Sequence, residues 1–313
     1  MRFAIFGSGG VGGYFGARLA QAGEDVSFIA RGAHLKAMQS HGLRVDSLAG
    51  NFSLDTVNAT DNPGEVGEVD VILVGVKAWQ VPEAAEAMRP MVGSNTYVVP
   101  LQNGVEAPSQ LAKVLGEAHV LGGLCGLIAS VAQPGHLRHT GAEPFITFGE
   151  MDNRVTQRVK KLQRAIDHAE GVKANIASDI LVAMWDKFMF ITAWSGLGAI
   201  TRSPLGTFRS DPETRKLLRQ ALTETYEVAQ ARGVSLAPDS VNAMIARYDK
   251  LPATGTASMQ RDIMAGRPSE LEQQSGAVVR IGKEVGVETP INAFIYHSLL
   301  PMERRARGEI QFQ

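Results

Sequence analysis

A glycine-rich turn near the N-terminus is the first feature of this sequence that could bind a ligand. The apolar run Phe3-Ala4-Ile5-Phe6 leads into Gly7-Ser8-Gly9-Gly10-Val11-Gly12, and Tyr14 to Ala22 then has the spacing of an amphipathic helix. In a strand–turn–helix unit, Gly7 allows the tight turn, Gly9 lets the backbone approach a pyrophosphate, and Gly12 lets helix and strand pack closely. Unpaired N–H groups at the start of the helix attract phosphates. The six turn residues therefore predict a dinucleotide site, with a purely structural glycine turn as the alternative.

The residue after the second predicted strand indicates which dinucleotide binds. Asp25 to Ala30 predicts a strand, and Arg31 follows it directly. An enzyme that uses NAD places an Asp or Glu at this point, where it holds the ribose 2′-hydroxyl. A guanidinium group instead offers planar donors to a 2′-phosphate. Arg31 therefore predicts NADP(H), and an ordinary solvated arginine is the alternative.

Polar residues follow two later predicted strands. Lys77 comes directly after the apolar run Val69 to Val76, and Gln102-Asn103-Gly104 follows the strand predicted at Thr96 to Val99. Ligands of an open α/β sheet bind outside the carboxyl ends of its strands. The amide of Asn103 can both donate and accept, so it could hold a nicotinamide ribose or a substrate carboxylate. We expect Lys77 and Asn103 at such a site; a solvated loop lysine and a simple Asn-Gly turn are the alternatives.

Two charged residues stand out in the second half. Lys187 lies in an otherwise apolar helical stretch, where an ammonium group is costly unless it is paired or lines a polar cavity. In a polar cavity it could act as a proton donor, whereas the alternative is a side chain that extends to the surface. Glu270 lies within a predicted capping box, in which Ser269 and Glu272 open a helix. In that position Glu270 could simply complement the helix dipole.

The pattern of apolar residues predicts two domains. Short apolar runs alternate with helical spacing in the first half, which is typical of parallel βαβ units. Strands are expected at residues 1–6, 25–30, 69–76, 96–99, 120–130 and 145–148, with a hairpin joining 43–45 to 52–54 and helices at 14–22, 33–40, 81–91 and 153–169. Later helices are expected at 180–194, 212–232, 238–250, 269–285 and 293–307. We predict an α/β fold: an N-terminal Rossmann-type parallel-sheet domain, residues 1–176, followed by an all-α domain, residues 177–313, with the substrate in the cleft that faces it.

The composition narrows the class of protein. The 313 residues carry a formal net charge of -1, which argues against a nucleic-acid partner. The single cysteine, Cys125, excludes an internal disulfide and favours the cell interior. The first apolar residues form a strand rather than a signal peptide, and we expect no apolar run long enough to span a membrane. We therefore expect a soluble cytoplasmic protein without a metal site. Helix faces near Met244, Ile245 and Tyr248 could pair two copies in a homodimer.

Taken together, these segments resemble the ketopantoate reductase (2-dehydropantoate 2-reductase) family over essentially the whole chain. The motifs that carry the resemblance are Gly7-x-Gly9-x-x-Gly12, Arg31, Lys77-Ala78-Trp79-Gln80, Gln102-Asn103-Gly104, Trp185-x-Lys187-Phe188, and Ser258-Met259-x-x-Asp262 ending at Glu270. The resemblance implies NADPH-dependent reduction of 2-dehydropantoate to pantoate, a step of pantothenate biosynthesis. A hydride would pass from the nicotinamide to the keto carbon.

The same resemblance implies roles for individual residues. Lys187 would be the proton donor, and Glu270 would contact the cofactor or orient the catalytic group. Asn103 would bridge nicotinamide and substrate, and Ser258 would meet the substrate carboxylate.

One departure from the family pattern concerns the substrate. Family members that act on ketopantoate tend to have asparagines four and eight residues after the lysine, where this chain has Ile191 and Ser195. Isoleucine cannot replace a hydrogen-bonding amide, and Trp194 lies nearby, so the substrate pocket could be more apolar than in those family members. Ser195 stays a candidate substrate ligand. We expect the reaction class to hold and other 2-keto acids to compete with ketopantoate. A β-hydroxyacid dehydrogenase and a non-catalytic NADPH-binding sensor are the remaining alternatives.

Overall fold

The computed structural model of the protein describes residues 1–310 and divides the chain into two compact units. The first unit comprises Met1–Gln102 and Glu106–Ala183. The second comprises Asn103–Val105 and the chain from Met184 onward. The short segment Asn103–Val105 thus belongs with the helical unit, although it directly follows a strand of the first.

The described residues form ten strands, all of them in the first unit. They are β1 Arg2–Phe6, β2 Asp25–Ile29, β3 Leu43–Asp46, β4 Phe52–Leu54, β5 Asn58–Thr60, β6 Val71–Val74, β7 Tyr97–Pro100, β8 Gly122–Gln133, β9 His136–Gly149 and β10 Lys173–Ile176. A parallel sheet has the order β5-β2-β1-β6-β7. All four residues of β6 (VILV) are buried, as expected of a strand that is covered on both faces. The predicted Rossmann-type sheet is therefore confirmed.

A second sheet corrects one part of the prediction. Of the run predicted at 120–130, Val120 meets the parallel sheet through an isolated parallel bridge to Val98 of β7, but residues 122–130 and 145–148 do not complete that sheet. They belong to β8 and β9, an antiparallel hairpin in a separate sheet of order β10-β9-β3-β4, with β8 paired to β9. Antiparallel strands can be joined by a tight turn, here at Gly135 with a φ of +72°, so the two strands pair with each other locally. The predicted β3–β4 hairpin is confirmed, with Leu43 opposite Leu54, whereas the short β10 was not predicted.

The helices of the first unit cover the two sheets. They are α1 Gly10–Gln21, α2 Gly32–His41, α3 Val81–Ala87, α4 Ala107–Leu115 and α5 Gln157–Asp167. Two differences from prediction stand out: α4 was not predicted, and α1 begins at Gly10 rather than at Tyr14. Its glycines have a low intrinsic helix propensity, but close packing against the sheet requires them there.

The second unit is helical throughout, as predicted. Its helices are α6 Ile180–Thr201, which begins in the first unit, α7 Leu205–Ser210, α8 Pro212–Ala231, α9 Ser240–Lys250, α10 Ser258–Met264, α11 Ser275–Val285 and α12 Pro290–Ala306. The short helices α7 and α10 were not predicted. Met244, Ile245 and Tyr248 lie in the core of this unit, with exposures of 3%, 5% and 0%. The expectation that they pair two copies is therefore wrong.

Helix α6 also overturns the expectation that no apolar run is long enough to span a membrane. It has 22 residues and is long and apolar enough in composition to cross a membrane, but 56% of its most apolar stretch is buried inside the protein. Phe188, Met189 and Ala193 are at most 1% exposed. These properties are those of the core helix of a folded domain. Among residues 1–310, no group of three or more His, Cys, Asp or Glu side chains is arranged to hold a metal ion.

Candidate active site

The glycine turn after β1 has the geometry of a phosphate-binding loop. Gly7 has a φ of +98°, and a Cβ atom there would lie 2.6 Å from the backbone nitrogen of Val76, so no other residue fits. A Cβ atom at Gly9 would meet no protein atom within 4 Å, which leaves the backbone open to a ligand. Helix α1 starts at the next residue, and its first N–H groups have no acceptor within the helix. The turn could therefore hold a pyrophosphate.

Ser8 is one of the six predicted turn residues, and its hydrogen-bond donors are bonded to other residues of the protein. Its hydroxyl donates to the Ile29 carbonyl at 3.0 Å, and its amide donates to the same oxygen at 3.1 Å. The Ser8 carbonyl is 2.9 Å from Nε2 of His34, and Nδ1 of His34 accepts the Gly135 amide at 3.0 Å. His34 is therefore neutral and protonated on Nε2, and burial lowers its pKa. Sequence reasoning missed His34, because no local pattern marks it.

The two predicted cofactor cations of the first unit are both exposed. Arg31 follows β2, and within residues 1–310 its guanidinium has no hydrogen bond or ion pair. The ammonium of Lys77 lies 5.7 Å from the ring centroid of Trp79, in a turn that Gln80 closes by accepting the Lys77 amide at 3.2 Å. An open turn with a guanidinium at the end of the neighbouring strand fits a dinucleotide that carries a 2′-phosphate.

In the second unit, two predicted residues that are distant in sequence come together. Asn103 Nδ2 donates to Glu270 Oε2 at 3.2 Å, and Glu270 is 5% exposed. A Cβ atom at Gly104 would lie 3.1 Å from the Gln273 carbonyl, so the 103–105 segment packs on the turn that follows Glu270. Gln274 Nε2 is 3.5 Å from the same carboxylate oxygen. The carboxylate of Glu270 thus orients the Asn103 amide.

The segment before Glu270 corrects the predicted capping box. Helix α11 begins at Ser275, not at Ser269. The carboxylate of Glu303 instead accepts hydrogen bonds from Ser269. Its two oxygens lie 3.0 and 3.1 Å from the Ser269 amide nitrogen, and one of them accepts the Ser269 hydroxyl at 2.5 Å. Arg307 Nε donates to the other side of that carboxylate at 2.7 Å. This Ser269–Glu303–Arg307 cluster holds the backbone next to Glu270, and sequence reasoning missed Glu303 because it comes from another helix.

Lys187 lies on α6 and is half-buried. Within residues 1–310 its ammonium has neither a hydrogen bond nor an ion pair. The adjacent carboxylate, Asp186, lies 3.7 Å from Arg247 instead, and burial raises the pKa of Asp186. The expectation of a lysine within a largely buried helix is met, although its side chain is not fully enclosed.

One side of α6 connects Lys187 with Ser258. With 3.6 residues per turn, Lys187, Ile191, Trp194 and Gly198 lie along one side of the helix. The Trp194 ring would lie 3.1 Å from a Cβ atom at Gly255, and Gln260 Oε1 would lie 2.6 Å from one at Gly198. Ser258 lies between Gly255 and Gln260 in the chain, at the start of α10, so its segment packs on the side of α6 that carries Lys187, about two to three turns farther along the helix.

Buried polar atoms without a partner gather in two segments of the second unit. Within residues 1–310, eight buried side-chain atoms lack a hydrogen-bond partner, and six of them lie in residues 192–195 and 273–275. These six are Thr192 Oγ1, Trp194 Nε1, Ser195 Oγ, Gln273 Oε1, Gln274 Oε1 and Ser275 Oγ. The segments adjoin, because a Cβ atom at Gly196 would lie 3.3 Å from Ser275 Oγ. Each buried polar atom without a partner lowers the stability of the fold by about 1–3 kcal/mol unless water or a ligand bonds to it. The cluster therefore suits a polar ligand.

Comparison with known proteins places this arrangement in a family. The family model "Ketopantoate reductase PanE/ApbA" matches residues 3–153, and its C-terminal counterpart matches residues 179–303. A 2-dehydropantoate 2-reductase of Nostoc sp. is 30% identical, with 98% of this chain and 96% of that protein covered. The structure of a PanE/ApbA family ketopantoate reductase from Ralstonia eutropha has a TM-score of 0.89 at 30% identity, covering 98% of this chain and all of that one.

A more distant structure, a D-mandelate dehydrogenase with NADH and anilino(oxo)acetate, has the same fold. Its TM-score is 0.89 at 22% identity, with 98% of this chain and 99% of that chain covered. The two family models together account for most of the chain, and the full-length relatives agree with them. The chain therefore belongs to the ketopantoate reductase family, a family of oxidoreductases.

Proposed function

We propose that this protein reduces a 2-keto acid to the corresponding 2-hydroxy acid with NADPH. The first substrate to test is 2-dehydropantoate (ketopantoate), whose product, pantoate, belongs to pantothenate biosynthesis. One observation carries the proposal: Lys187 is half-buried, its ammonium lacks an anionic partner within residues 1–310, and it lies on the side of α6 that packs against the segment containing Ser258. A cation in this position suits a bound carboxylate and a developing alkoxide. Membership in a reductase family supports the same chemistry.

The first unit would hold the cofactor. The N–H groups at the start of α1 would receive the pyrophosphate, and Arg31 would receive the 2′-phosphate. When bound, NADPH supplies a hydride from its nicotinamide ring. Lys77, at the carboxyl end of β6, would add a positive charge on the side of the sheet away from Arg31.

The second unit would hold the substrate and supply the proton. The Lys187 ammonium stabilises the alkoxide oxygen as negative charge develops there, and then donates a proton to it. Because Asn103 donates one amide hydrogen to Glu270, its Oδ1 remains to accept from a ribose or substrate hydroxyl. Glu270 thereby orients Asn103 and contributes to the cofactor site.

Two serines would bind the substrate. The half-buried hydroxyl of Ser258 would donate to the substrate carboxylate. The Ser195 hydroxyl, fully buried without a partner, would donate to a polar group of the same molecule.

The identity of the keto acid depends on the wall formed by Ile191 and Trp194. Trp194 contacts Phe190 and Tyr248, at centroid distances of 5.4 and 6.4 Å, so this wall is apolar apart from the Trp194 Nε1 donor. Ile191 offers no hydrogen bond to a substrate hydroxyl. A 2-keto acid with a purely apolar side chain is therefore the direct competitor of ketopantoate.

The deciding experiment is NADPH oxidation measured with a matched panel of keto acids. Ketopantoate, 3,3-dimethyl-2-oxobutanoate (the same acid with its hydroxyl replaced by hydrogen) and phenylglyoxylate separate the contribution of the hydroxyl from that of apolar bulk. We expect turnover with at least one of them, and the highest kcat/KM identifies the substrate class. NADPH binding without oxidation of any keto acid would favour the sensor. NADP⁺-dependent oxidation of 3-hydroxy acids instead would favour a β-hydroxyacid dehydrogenase. A homodimer and a cytoplasmic location stay predictions.

The role of Lys187 has its own test. Lys187→Ala should keep the wild-type Kd for NADPH and lose about 10²–10⁴ in kcat, which is the usual contribution of a general acid. Lys283→Ala, which removes an exposed lysine at the end of α11, is the matched control and should keep full turnover. Near-normal kcat in Lys187→Ala would refute the assignment.

A further inference from the structure

Gln102, the residue that precedes Asn103, has a fixed and incompletely satisfied side chain. Its Nε2 donates to the carbonyl of Val74 at 2.8 Å and to that of Val76 at 3.0 Å. Both partners are acceptors only, so the opposite orientation of the amide would set three oxygens against one another. The nitrogen therefore faces the end of β6, and Oε1 points away from it.

The oxygen of that amide has no donor from the protein. Gln102 is 6% exposed, and within residues 1–310 no hydrogen bond reaches its Oε1. A buried amide oxygen of this kind costs about 1–3 kcal/mol if it stays unsatisfied. A purely structural role of the side chain explains the nitrogen but leaves the oxygen unexplained.

The position of Gln102 relates this oxygen to one half of a dinucleotide. The carbonyls that it holds flank Gly75, and a Cβ atom at Gly75 would lie 2.7 Å from the Gly7 carbonyl, so Gln102 borders the glycine turn. In the sheet order β5-β2-β1-β6-β7, β2 and Arg31 lie on one side of β1, and β6 and β7 lie on the other. A dinucleotide crosses the sheet at this reversal of strand order. With the adenosine half towards Arg31, the nicotinamide half extends towards β6 and β7, where Gln102 stands.

We propose that Gln102 Oε1 accepts a hydrogen bond from the nicotinamide nucleoside of NADP(H), through a ribose hydroxyl or the carboxamide N–H. The proposal rests on the cofactor named under the proposed function. Gln102 then has two tasks, since its nitrogen holds the carbonyls of Val74 and Val76 at the end of β6 and its oxygen fixes the orientation of the reacting half. It is a cofactor-binding residue beyond those expected from the sequence.

The test compares ligands that share the adenosine half but differ in the nicotinamide half. Kd values of wild type and Gln102→Met are measured by calorimetry for NADP⁺, for nicotinic acid adenine dinucleotide phosphate, and for adenosine 2′,5′-bisphosphate. We expect Gln102→Met to weaken NADP⁺ binding about 3- to 10-fold, the effect of one neutral hydrogen bond, and to change adenosine 2′,5′-bisphosphate binding less than about 2-fold.

The nicotinic acid analogue identifies the donor, because it lacks the carboxamide N–H. If Gln102→Met also weakens binding of the analogue, the donor to Oε1 is a ribose hydroxyl. If it does not, the donor is the carboxamide N–H. Both results support the proposal. Equal weakening of NADP⁺ and adenosine 2′,5′-bisphosphate would show that Gln102 only supports the turn, and would overturn it. An unchanged Kd for NADP⁺ would overturn it too.

One further measurement and one control outcome keep the test decisive. If Gln102→Met does not fold, a crystal structure of the wild-type protein with NADP⁺ replaces it, and Oε1 must lie within about 3.2 Å of a donor of the nicotinamide nucleoside. A greater separation would refute the contact. Failure of wild type to bind either NADP⁺ or adenosine 2′,5′-bisphosphate would count against the proposed cofactor, and is thus distinct from failure of the Gln102 contact.

Discussion

Replacing Glu303 by glutamine should destabilise the second unit and disturb the segment that presents Glu270. The buried carboxylate accepts the Ser269 amide, the Ser269 hydroxyl and the Arg307 guanidinium. Hydrogen bonds to a charged group contribute about 1.5–3 kcal/mol each, against about 0.5–1.5 kcal/mol for neutral ones. Loss of the charge weakens three such bonds by about 1 kcal/mol each, so we expect Glu303→Gln to lower the free energy of unfolding by about 3 kcal/mol. The NH₂ group of glutamine must also face one of these donors.

The measurement is urea unfolding followed by tryptophan fluorescence. Trp185 and Trp194 belong to the second unit and Trp79 to the first, so the fluorescence mainly reports the unit that carries Glu303. The matched control is Glu213→Gln, which removes the charge of an exposed glutamate paired with Lys216 at 2.8 Å. Such surface pairs contribute little, so the control should unfold like the wild type.

A double-mutant cycle with Ser269→Ala distinguishes the loss of hydrogen bonds in the Ser269–Glu303–Arg307 cluster from a general effect of removing one negative charge. Ser269→Ala removes one donor to the same carboxylate, so the two substitutions together should cost less than the sum of their separate effects, with a coupling of about 1–2 kcal/mol. Because Ser269 precedes Glu270, kcat/KM should fall in Glu303→Gln as well. Unfolding of Glu303→Gln indistinguishable from that of Glu213→Gln, or strictly additive effects, would refute the reasoning.

Two predictions concern the first unit. Arg31→Asp should weaken NADPH binding about ten- to a hundredfold and NADH binding little, because only NADPH carries the 2′-phosphate; equal losses in fluorescence titrations of the two cofactors would contradict the assignment. The unfolded imidazole, with an ordinary pKa of 6.5, takes up a proton before the folded His34, whose pKa burial lowers, so stability should fall as the pH drops below about 6.5. His34→Gln should flatten this part of the pH dependence in urea unfolding, and an identical pH slope in both proteins would count against the neutral, doubly bonded ring.

Much of the fold could be predicted because it depends on local patterns. The four apolar residues of β6 and the alternation of strands with helices indicate a parallel sheet without reference to distant residues. The assignment of β8 and β9 to that sheet was wrong, since a buried apolar run has the same composition in either sheet. Their actual partners depend on the turn at Gly135 and on β3, from which they are separated by about half of the first unit.

In the candidate site too, features of a short segment could be predicted and contacts between distant residues could not. The glycine turn and the cation after β2 could be recognised from the sequence, because backbone sterics at Gly7 and the spacing to Arg31 are properties of a short segment. Two contacts, in contrast, depend on the packing of distant segments: Asn103 donates to Glu270, which lies 167 positions away, and Glu303 rather than a helix start receives the donors of Ser269. A side chain's partner is set by which surfaces pack together over the whole chain, and local periodicity carries no information about that choice. The unpaired oxygen of Gln102 belongs to the same class, since it can be recognised only once every potential donor has a position.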